Sequence, residues 1–352
     1  MKDKVYIIVL NYKGHLDTVE CLESCLKLNY SNFEIIVVDN SDTNDSIEYI
    51  LNWANGKIDS IKTLFEGILQ PYIKKPINIK VLMEHEIESA EGDGSNKLTL
   101  IKANSNQGFA AGNNIGLRYV MQRDDFGFAW ILNNDTVVDS DALKALVNYY
   151  AEANTEGNKK LGILGSALLY YDTPELVQGV GGKFNKYFAV TGHQGQGLPV
   201  KALAAKEHME IDYVIGASMF VSRHFLEEVG LMSEDYFLYF EEIDWATVAK
   251  KYHYYIDYCP TSLVYHKEGA TINNAIDYKK KKSELADYYA LRNRLLFTRK
   301  YYPQYLPLTQ LSFLIVIANR IKRKELKRVG MIMKMLFNPS RPYQQEDPLL
   351  KR

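Results

Sequence analysis

Several features are scarce in this sequence of 352 residues, and each scarcity excludes a class of protein. The only cysteines are Cys21, Cys25 and Cys259, too few for a disulfide framework. Cys21 and Cys25 share one face of a predicted helix and are interpreted as small buried apolar residues. No apolar run reaches the about 18 residues that a membrane-spanning helix needs. The formal net charge is −1, so we expect no nucleic-acid partner.

The composition is ordinary for a globular protein with a large core, since 47% of the residues are hydrophobic and 24% are charged. No signal-peptide pattern precedes the first predicted strand, residues 5–10, which favours a location in the cell interior. The length allows one large α/β domain with an appendage, or two modest domains.

A strand–helix rhythm predicts the fold class. Residues 5–10 and 33–38 are continuous apolar runs, typical of parallel strands covered on both faces. Asp17, followed three residues later by Glu20, predicts a capping box at the start of the helix that joins these two strands. Further strands are predicted at 77–83, 98–102, 126–132, 161–165, 211–221, 254–258 and 263–266, with helices around 46–53, 142–153 and 223–229. We expect an α/β fold with a doubly wound, mostly parallel central sheet.

The chain divides by composition into a principal domain, residues 1–275, and a basic helical extension, residues 276–352. The stretch 55–97 breaks the rhythm and is predicted to be an insertion with a mobile tip within 84–96. In the extension, a short apolar segment precedes clustered lysines and arginines, which is typical of a helix on an anionic membrane face. The alternative is a helix packed on the principal domain with a solvated basic face. Residues from 338 onward are predicted to be a loose tail.

The buried strand 126–132 ends in Asn133-Asn134-Asp135. In an open α/β sheet, ligands bind at the edge where strands end. A carboxylate there can bind a hard divalent cation. The alternative is an Asx turn or a helix cap, with Asp139 or Asp141 starting the next helix.

Gly108, Gly112 and Gly116 recur at helical spacing and predict a face that a backbone or a ligand approaches closely. The pattern matches neither the Walker nor the Rossmann glycine motif. A close helix-packing seam is an equally simple interpretation.

Taken in order, several short motifs resemble those of family 2 glycosyltransferases, and in particular the rhamnosyltransferase-like group of bacterial surface-polysaccharide enzymes. The matching stretches are Val9-Leu-Asn-Tyr, Val37-Val-Asp-Asn-Ser, Asn106-Gln-Gly-Phe-Ala-Ala-Gly-Asn-Asn, Leu132-Asn-Asn-Asp-Thr, Gly216-Ala-Ser-Met, Tyr239-Phe-Glu-Glu-Ile-Asp-Trp and Val264-Tyr-His, with Arg292-Asn-Arg in the extension. The resemblance implies a glycosyltransferase A fold. It also implies inverting transfer of a sugar, with L-rhamnose as one candidate, from a dTDP- or UDP-linked donor to a glycan or lipid-linked glycan acceptor.

The resemblance also implies a nucleotide-sugar site at the ends of the first strands. Asp39 would contact the base or ribose, and Tyr12 could lie against the ring. The residues assigned to this site are Asn11, Tyr12, Asp39, Asn106, Gly108, Asn114, Asn134 and Gly216. For Asp39 an Asx turn is the alternative, and both interpretations can hold together.

For the metal, the resemblance implies Asp135 as the ligand of Mg²⁺ or Mn²⁺. Where the family usually has D-x-D, this sequence has only the last acid, and His266 is interpreted as the second protein ligand or a phosphate donor.

Glu242 matches the family's general base, and Glu241 and Asp244 complete the predicted catalytic set. Adjacent acids at a helix start favour one raised pKa. Relatives commonly have Asp at position 242 and often Arg at position 248, where this chain has Val248, so the acceptor geometry is the open question. The rival functions are a catalytically silent nucleotide- or glycan-binding subunit and, last, a sugar nucleotidyltransferase.

Overall fold

The computed structural model describes residues 4–90, 97–153, 160–203, 208–267 and 283–337. The strands are β1 (Lys4–Asn11), β2 (Phe33–Asp39), β3 (Ile79–Met83), β4 (Leu98–Lys102), β5 (Phe126–Asn133), β6 (Thr136–Val138), β7 (Lys160–Tyr170), β8 (Val177–Gly179), β9 (Gly181–Asn185), β10 (Val190–Gln194), β11 (Ser218–Ser222) and β12 (Tyr254–His266). The helices are α1 (His15–Cys25), α2 (Asp45–Ala54), α3 (Glu66–Leu69), α4 (Phe109–Met121), α5 (Ala142–Ala153), α6 (Arg223–Val229), α7 (Glu241–Lys251), α8 (Glu284–Tyr301), α9 (Leu306–Lys322) and α10 (Leu326–Phe337).

A central sheet has the strand order β3-β4-β2-β1-β5-β11-β7-β12-β6, with β8 beside β7. The strands from β3 to β5 are mutually parallel, and β7 and β12 are parallel to each other. Only β11, β6 and β8 among these strands run antiparallel to their neighbours. The predicted α/β class with a mostly parallel sheet is confirmed.

The side chains of β1 alternate between two apolar layers because successive residues of a strand point to opposite faces. Tyr6 and Ile8 join the core beneath α4, whereas Val5, Ile7 and Val9 join the core beneath α1 and α2. All five are buried. This double coverage explains why the strand is an unbroken apolar run.

The glycines of α4 serve close packing of the helix on the sheet. A Cβ at Gly112 would lie 2.4 Å from Leu10 Cδ1, and one at Gly116 would lie 2.7 Å from Ile8 Cγ2. Of the two interpretations left open by the sequence, the packing seam describes both positions.

Some predicted elements are wrong in detail. The strand predicted at 211–221 is observed only at Ser218–Ser222. The two strands predicted at 254–258 and 263–266 form a single irregular strand, Tyr254–His266. The capping box is absent, because α1 begins after Gly14 with no side-chain cap. Residues 91–96 of the predicted mobile tip and the tail from 338 lie outside the described residues.

Helices α8, α9 and α10 pack together around Tyr288, Leu295 and Phe313. Phe297 of α8 also belongs to the core of the sheet, so the first helix of the predicted extension is continuous with the principal domain. Within the described ranges, no helix combines the length and apolarity required to cross a bilayer.

Candidate active site

The carboxyl ends of β1, β2, β5 and β12 lie at one edge of the sheet. β2 and β5 flank β1 in parallel, and β12 runs the same way because the antiparallel β11 separates β5 from β7. Asn11, Asp39 and Asn133 end the first group of strands and His266 ends β12. The fold therefore collects the predicted nucleotide and metal residues at one edge.

Asp39 lies at the centre of a buried polar network. Asn11 Nδ2 donates to its Oδ1 at 2.7 Å, and Ser41 Oγ donates to the same oxygen at 2.6 Å. Lys102 Nζ lies 3.2 Å from Oδ2, and the Asp39 side chain is fully buried. Tyr12, in contrast, is 38% exposed. Lys102 was missed by sequence reasoning, and its place at the end of β4 was the only available signal.

Asn134 points toward the start of α1. Its amide nitrogen donates to Thr18 Oγ1 at 3.0 Å, to the Gly14 carbonyl at 3.2 Å and to Asn11 Oδ1 at 3.3 Å. The Asn134 side chain thus holds the start of α1 beside the end of β5.

Asn106 and Asn114 lie at the two ends of the same loop-to-helix segment. Asn106 Oδ1 accepts from the Gly108 amide at 3.0 Å. The Asn114 amide nitrogen donates to the Met232 carbonyl at 2.9 Å and to Glu234 at 2.8 Å. Asn114 thus holds the loop that leads to α7.

Gly108 makes the closest backbone approach in this region. Its φ is +99°, and a Cβ there would lie 2.2 Å from the Phe237 carbonyl oxygen. Phe109 N–H donates to that oxygen at 2.7 Å. Phe109 also lies beside Gly216, whose missing Cβ would stand 3.6 Å from the ring. Gly108 therefore needs to be glycine because protein backbone, not ligand, occupies the space.

Asp135 and His266 face each other at the sheet edge. His266 Nε2 lies 3.3 Å from Asp135 Oδ1, and its Nδ1 lies 2.7 Å from Gln178 Oε1. Burial alone would raise the pKa of Asp135, but the adjacent His266 and a backbone N–H hold the pKa below its ordinary value. Asp135 is thus a carboxylate at neutral pH.

This pair fits a divalent cation in its chemistry. Because Nδ1 donates to Gln178, Nε2 is the atom of His266 that faces the Asp135 carboxylate, and a bound cation would take the place of the proton at Nε2. Two electron-rich atoms at such a distance favour a cation between or beside them. Among the described residues no group of three or more His, Cys, Asp or Glu side chains is gathered to hold a metal. The remaining positions would then fall to phosphate oxygens and water.

Glu241 and Glu242 begin α7. This helix leads directly into β12 and packs against it, so the helix and the strand run in opposite directions. Glu241 is buried, and its Oε1 has no hydrogen-bond partner among the described residues. Burial, followed by the charge of Glu242, raises the pKa of Glu241 well above its usual range.

Burial raises the pKa of Glu242 to about 7. Its side chain is only partly buried, so it can meet a ligand. Tyr213 stands close enough for the charge of Glu242 to add to burial in raising the tyrosine pKa. A carboxylate with a pKa near neutrality is well suited to take a proton.

Asp244, the third predicted catalytic residue, points away from Glu242 toward the C-terminal helices. Its Oδ2 accepts from Tyr236 OH at 2.6 Å and lies 3.0 Å from Lys300 Nζ. It connects α7 to α8, and its predicted part in the chemistry would be indirect.

The segment before α7 is strained. Phe237, Tyr239 and Phe240 have φ of 67°, 70° and 78°, values that cost free energy for bulky residues. Asn293 Nδ2, from α8, lies 2.9, 2.8 and 2.9 Å from the carbonyl oxygens of Tyr236, Leu238 and Tyr239. Sequence reasoning missed this role, although the Arg292-Asn-Arg motif was the signal.

Comparisons with known proteins point to a family of glycosyltransferases. Residues 5–67 match the model of glycosyl transferase family 2. A curated relative is the low-salt glycan biosynthesis hexosyltransferase Agl10 of Haloferax volcanii, 23% identical over 97% of this chain and 88% of its own length. The chain is therefore similar to glycosyl transferase family 2 in its first strands and to this hexosyltransferase along nearly its whole length.

Two solved structures align with this chain. S. aureus TarS 1-349 aligns over 87% of this chain and 70% of its own, with 12% identity and a TM-score of 0.45. GalNAc-T7, solved with UDP, GalNAc and Mn²⁺, aligns over 86% of this chain with 11% identity and a TM-score of 0.54. This chain spans 48% of the length of that GalNAc-T7 chain. The likeness to GalNAc-T7 confirms the predicted glycosyltransferase A fold.

Proposed function

We propose that this glycosyltransferase is an inverting hexosyltransferase of surface-polysaccharide synthesis, with Glu242 as the general base. The observation that carries the proposal is the pKa of about 7 at Glu242, beside Tyr213 at the start of α7. A base that titrates near neutrality is suited to take the proton of an acceptor hydroxyl, and the Asp135–His266 pair at the carboxyl ends of the strands offers a site for a cation that binds a diphosphate.

The reaction is a single displacement at the anomeric carbon. The acceptor hydroxyl gives its proton to Glu242 while its oxygen forms the new bond to the anomeric carbon. The bond between that carbon and the diphosphate oxygen breaks, and the nucleoside diphosphate leaves with the electron pair. Glu241, whose own pKa is raised by burial and by the charge of Glu242, stands beside the base, and Asp244 positions α7 through Tyr236 and Lys300.

Asp135 and His266 would hold Mg²⁺ or Mn²⁺. When bound, the cation would offset the negative charge that grows on the leaving diphosphate. Gln178 orients the imidazole so that Nε2 faces the carboxylate. Mn²⁺ is favoured by the imidazole, and the GalNAc-T7 structure, which is similar in fold, was solved with Mn²⁺.

The donor is a dTDP- or UDP-linked hexose, with L-rhamnose as one candidate. Asn11, Tyr12 and Asp39 would hold the base and ribose. The floor of the nucleotide-sugar site would be formed by the segments that contain Asn106, Gly108, Asn114, Asn134 and Gly216. Agl10 is itself described as a hexosyltransferase of glycan biosynthesis, and this supports a hexose donor and a glycan acceptor here. The acceptor would be a glycan or a lipid-linked glycan. A lipid-linked acceptor would reach the enzyme at the inner face of the membrane, which the C-terminal helices would contact.

The test is nucleotide release from a panel of dTDP- and UDP-hexoses with Mn²⁺ or Mg²⁺. We expect one donor to be hydrolysed slowly without acceptor and faster with it, and the rate to vanish in chelator. Glu242→Gln should bind that donor with unchanged affinity and turn it over at least a hundredfold more slowly. Donor binding without turnover under every condition would instead favour the catalytically silent subunit.

A further inference from the structure

The outward side of α9 carries an unusual row of large apolar side chains. We define the outer α9 face as Leu308, Leu311, Leu314, Ile315 and Ile321, which are 40%, 60%, 59%, 68% and 52% exposed. Residues three, four and seven positions apart share one side of a helix. The opposite side is also apolar and buries Phe313 against α8 and α10. Since α9 needs only that side for folding, its outer face must serve another purpose.

The tip of the β9–β10 hairpin extends this surface. Tyr187 and Phe188 are 45% and 43% exposed. The Tyr187 ring lies 4.8 Å from that of Tyr305, at the start of α9. Arg294 Nη2 donates to the Phe188 carbonyl and to Ser312 Oγ, both at 2.7 Å. The tip is therefore fixed against α9, and the two apolar regions form one surface.

The rim of the surface is basic. Lys322, Arg323, Lys324, Lys327 and Lys334 are exposed at the end of α9 and along α10. The other two cations of the segment, Arg320 and Arg328, pair with buried Asp287. The sole acid between 306 and 337 is Glu325, which is itself buried.

We propose that the outer α9 face, the hairpin tip and this basic rim dock on an anionic lipid bilayer. A helix too short to span the bilayer, with one apolar side and flanking lysines, lies in the interface and gains from anionic headgroups. A second copy of this chain is disfavoured as the occupant, because a two-fold contact would bring two sets of exposed cations together.

This inference deepens the proposed function, on which its account of the acceptor rests. At its other end the hairpin meets the base: a Cβ on Gly182 would lie 2.2 Å from the Tyr213 hydroxyl, and Tyr213 is the neighbour of Glu242. From Gly182 to Tyr187 an extended chain covers roughly 17 Å. A glycan whose lipid anchor stays in the bilayer can thus reach the base along the hairpin.

The experiment is vesicle co-sedimentation of the full chain. Vesicles of phosphatidylcholine alone are compared with vesicles containing phosphatidylglycerol, at low and high salt. We expect binding to the anionic vesicles that weakens with salt. The combined Leu311→Gln, Leu314→Gln and Ile315→Gln variant should lose at least tenfold in affinity. The Lys322→Gln, Lys324→Gln and Lys327→Gln variant should lose on the order of a hundredfold at low salt.

Matched controls are Leu64→Gln and Lys144→Gln, equally exposed residues elsewhere on the protein, which should sediment like the unmodified chain. Unchanged melting temperatures show that each variant is folded. Binding is read without turnover, so an inactive enzyme that still sediments would refute the proposed function alone.

Absence of sedimentation, or equal sedimentation of all variants, would refute the docking surface. If light scattering showed that the unmodified chain is a dimer and the apolar variant a monomer, and neither bound vesicles, the surface would be assigned to a second copy. Binding only after removal of residues 338–352 would assign it to that tail and overturn the proposal for the intact chain.

Discussion

The two sides of the candidate site are built in opposite ways. On the side proposed for the nucleotide, here the nucleotide side, the Asp39 carboxylate is saturated by donors from Asn11, Ser41 and Lys102. On the side proposed for the acceptor, here the acceptor side, Glu241 Oε1 is buried with no hydrogen-bond partner in the described part of the chain, and the segment leading to it is strained. The first side is preorganised by satisfied polar contacts, and the second stores free energy.

What holds the strained side in place comes from outside the sheet. Asn293 of α8 binds three of its carbonyls, and Gly108 lets the backbone at Phe237 approach α4. A carboxyl group whose pKa is raised by burial makes folding less favourable when it is charged. Such a group therefore stays buried only where the surrounding structure holds it there. The difference suggests that substitutions on the acceptor side change the rate constant, whereas those on the nucleotide side change affinity.

The largest effect is expected from Glu242→Gln, which removes the base. We expect kcat to fall by about 10³ with little change in donor affinity. In the unmodified enzyme kcat should rise with pH and level off above about 7, since only the carboxylate accepts a proton. Stopped-rate assays of nucleotide release from pH 5 to 9 measure both.

A stability measurement separates this role from misfolding. Because the pKa of Glu242 is raised in the folded state, folding is favoured below the unfolded pKa, about 4.3, and that advantage is lost as pH rises toward 7. Glu242→Gln should therefore melt at a higher temperature than the unmodified chain at pH 8, with a smaller difference at pH 5. A lower melting temperature at pH 8 would contradict the assignment.

Asp135→Asn comes next, because it removes the carboxylate from the pair with His266. We expect a loss of about a hundredfold in kcat and a much weaker response to Mn²⁺. Manganese titration of the nucleotide-release rate is the measurement. Asp59→Asn, an exposed position, is the control and should respond to Mn²⁺ normally. Equal Mn²⁺ dependence in both variants would dismiss Asp135 as a ligand.

The sequence predicts much of the fold, and the physical reasons can be identified. Buried parallel strands have a strong pattern, so β4 and the helix α5 were predicted at their observed bounds. Asn11, Asp39 and His266 end strands, and a parallel sheet brings such ends to one edge. Contacts between segments distant in sequence have no local pattern. Hence Asp17 and Glu20, predicted to cap α1, instead pair with Lys267, 250 and 247 residues away.

Asn293→Asp tests the support of the acceptor side from α8. A carboxylate facing three carbonyls cannot donate, so about 1–3 kcal/mol of stability should be lost and the strained segment should relax. We expect kcat to fall tenfold or more while donor affinity, measured by calorimetry, stays the same. Asn319→Asp, exposed on α9, makes the same change in charge without this contact. A change in affinity alone would mean that α8 does not support the base.

The smallest effect is expected from Asp39→Asn on the nucleotide side. Lys102 keeps the carbonyls of Ser41 and Thr43 as acceptors, so the network should survive with a lower melting temperature. Replacing a charged acceptor by a neutral one should raise KM for the donor by about tenfold, an energy of about 1.4 kcal/mol, and leave kcat within about twofold. Asp42→Asn, whose carboxylate pairs with Lys13 at the surface, is the neighbouring control and should change neither constant. If Asp39→Asn instead lowered kcat at constant KM, the nucleotide side would contribute to the transition state, and the contrast between the two sides would fail.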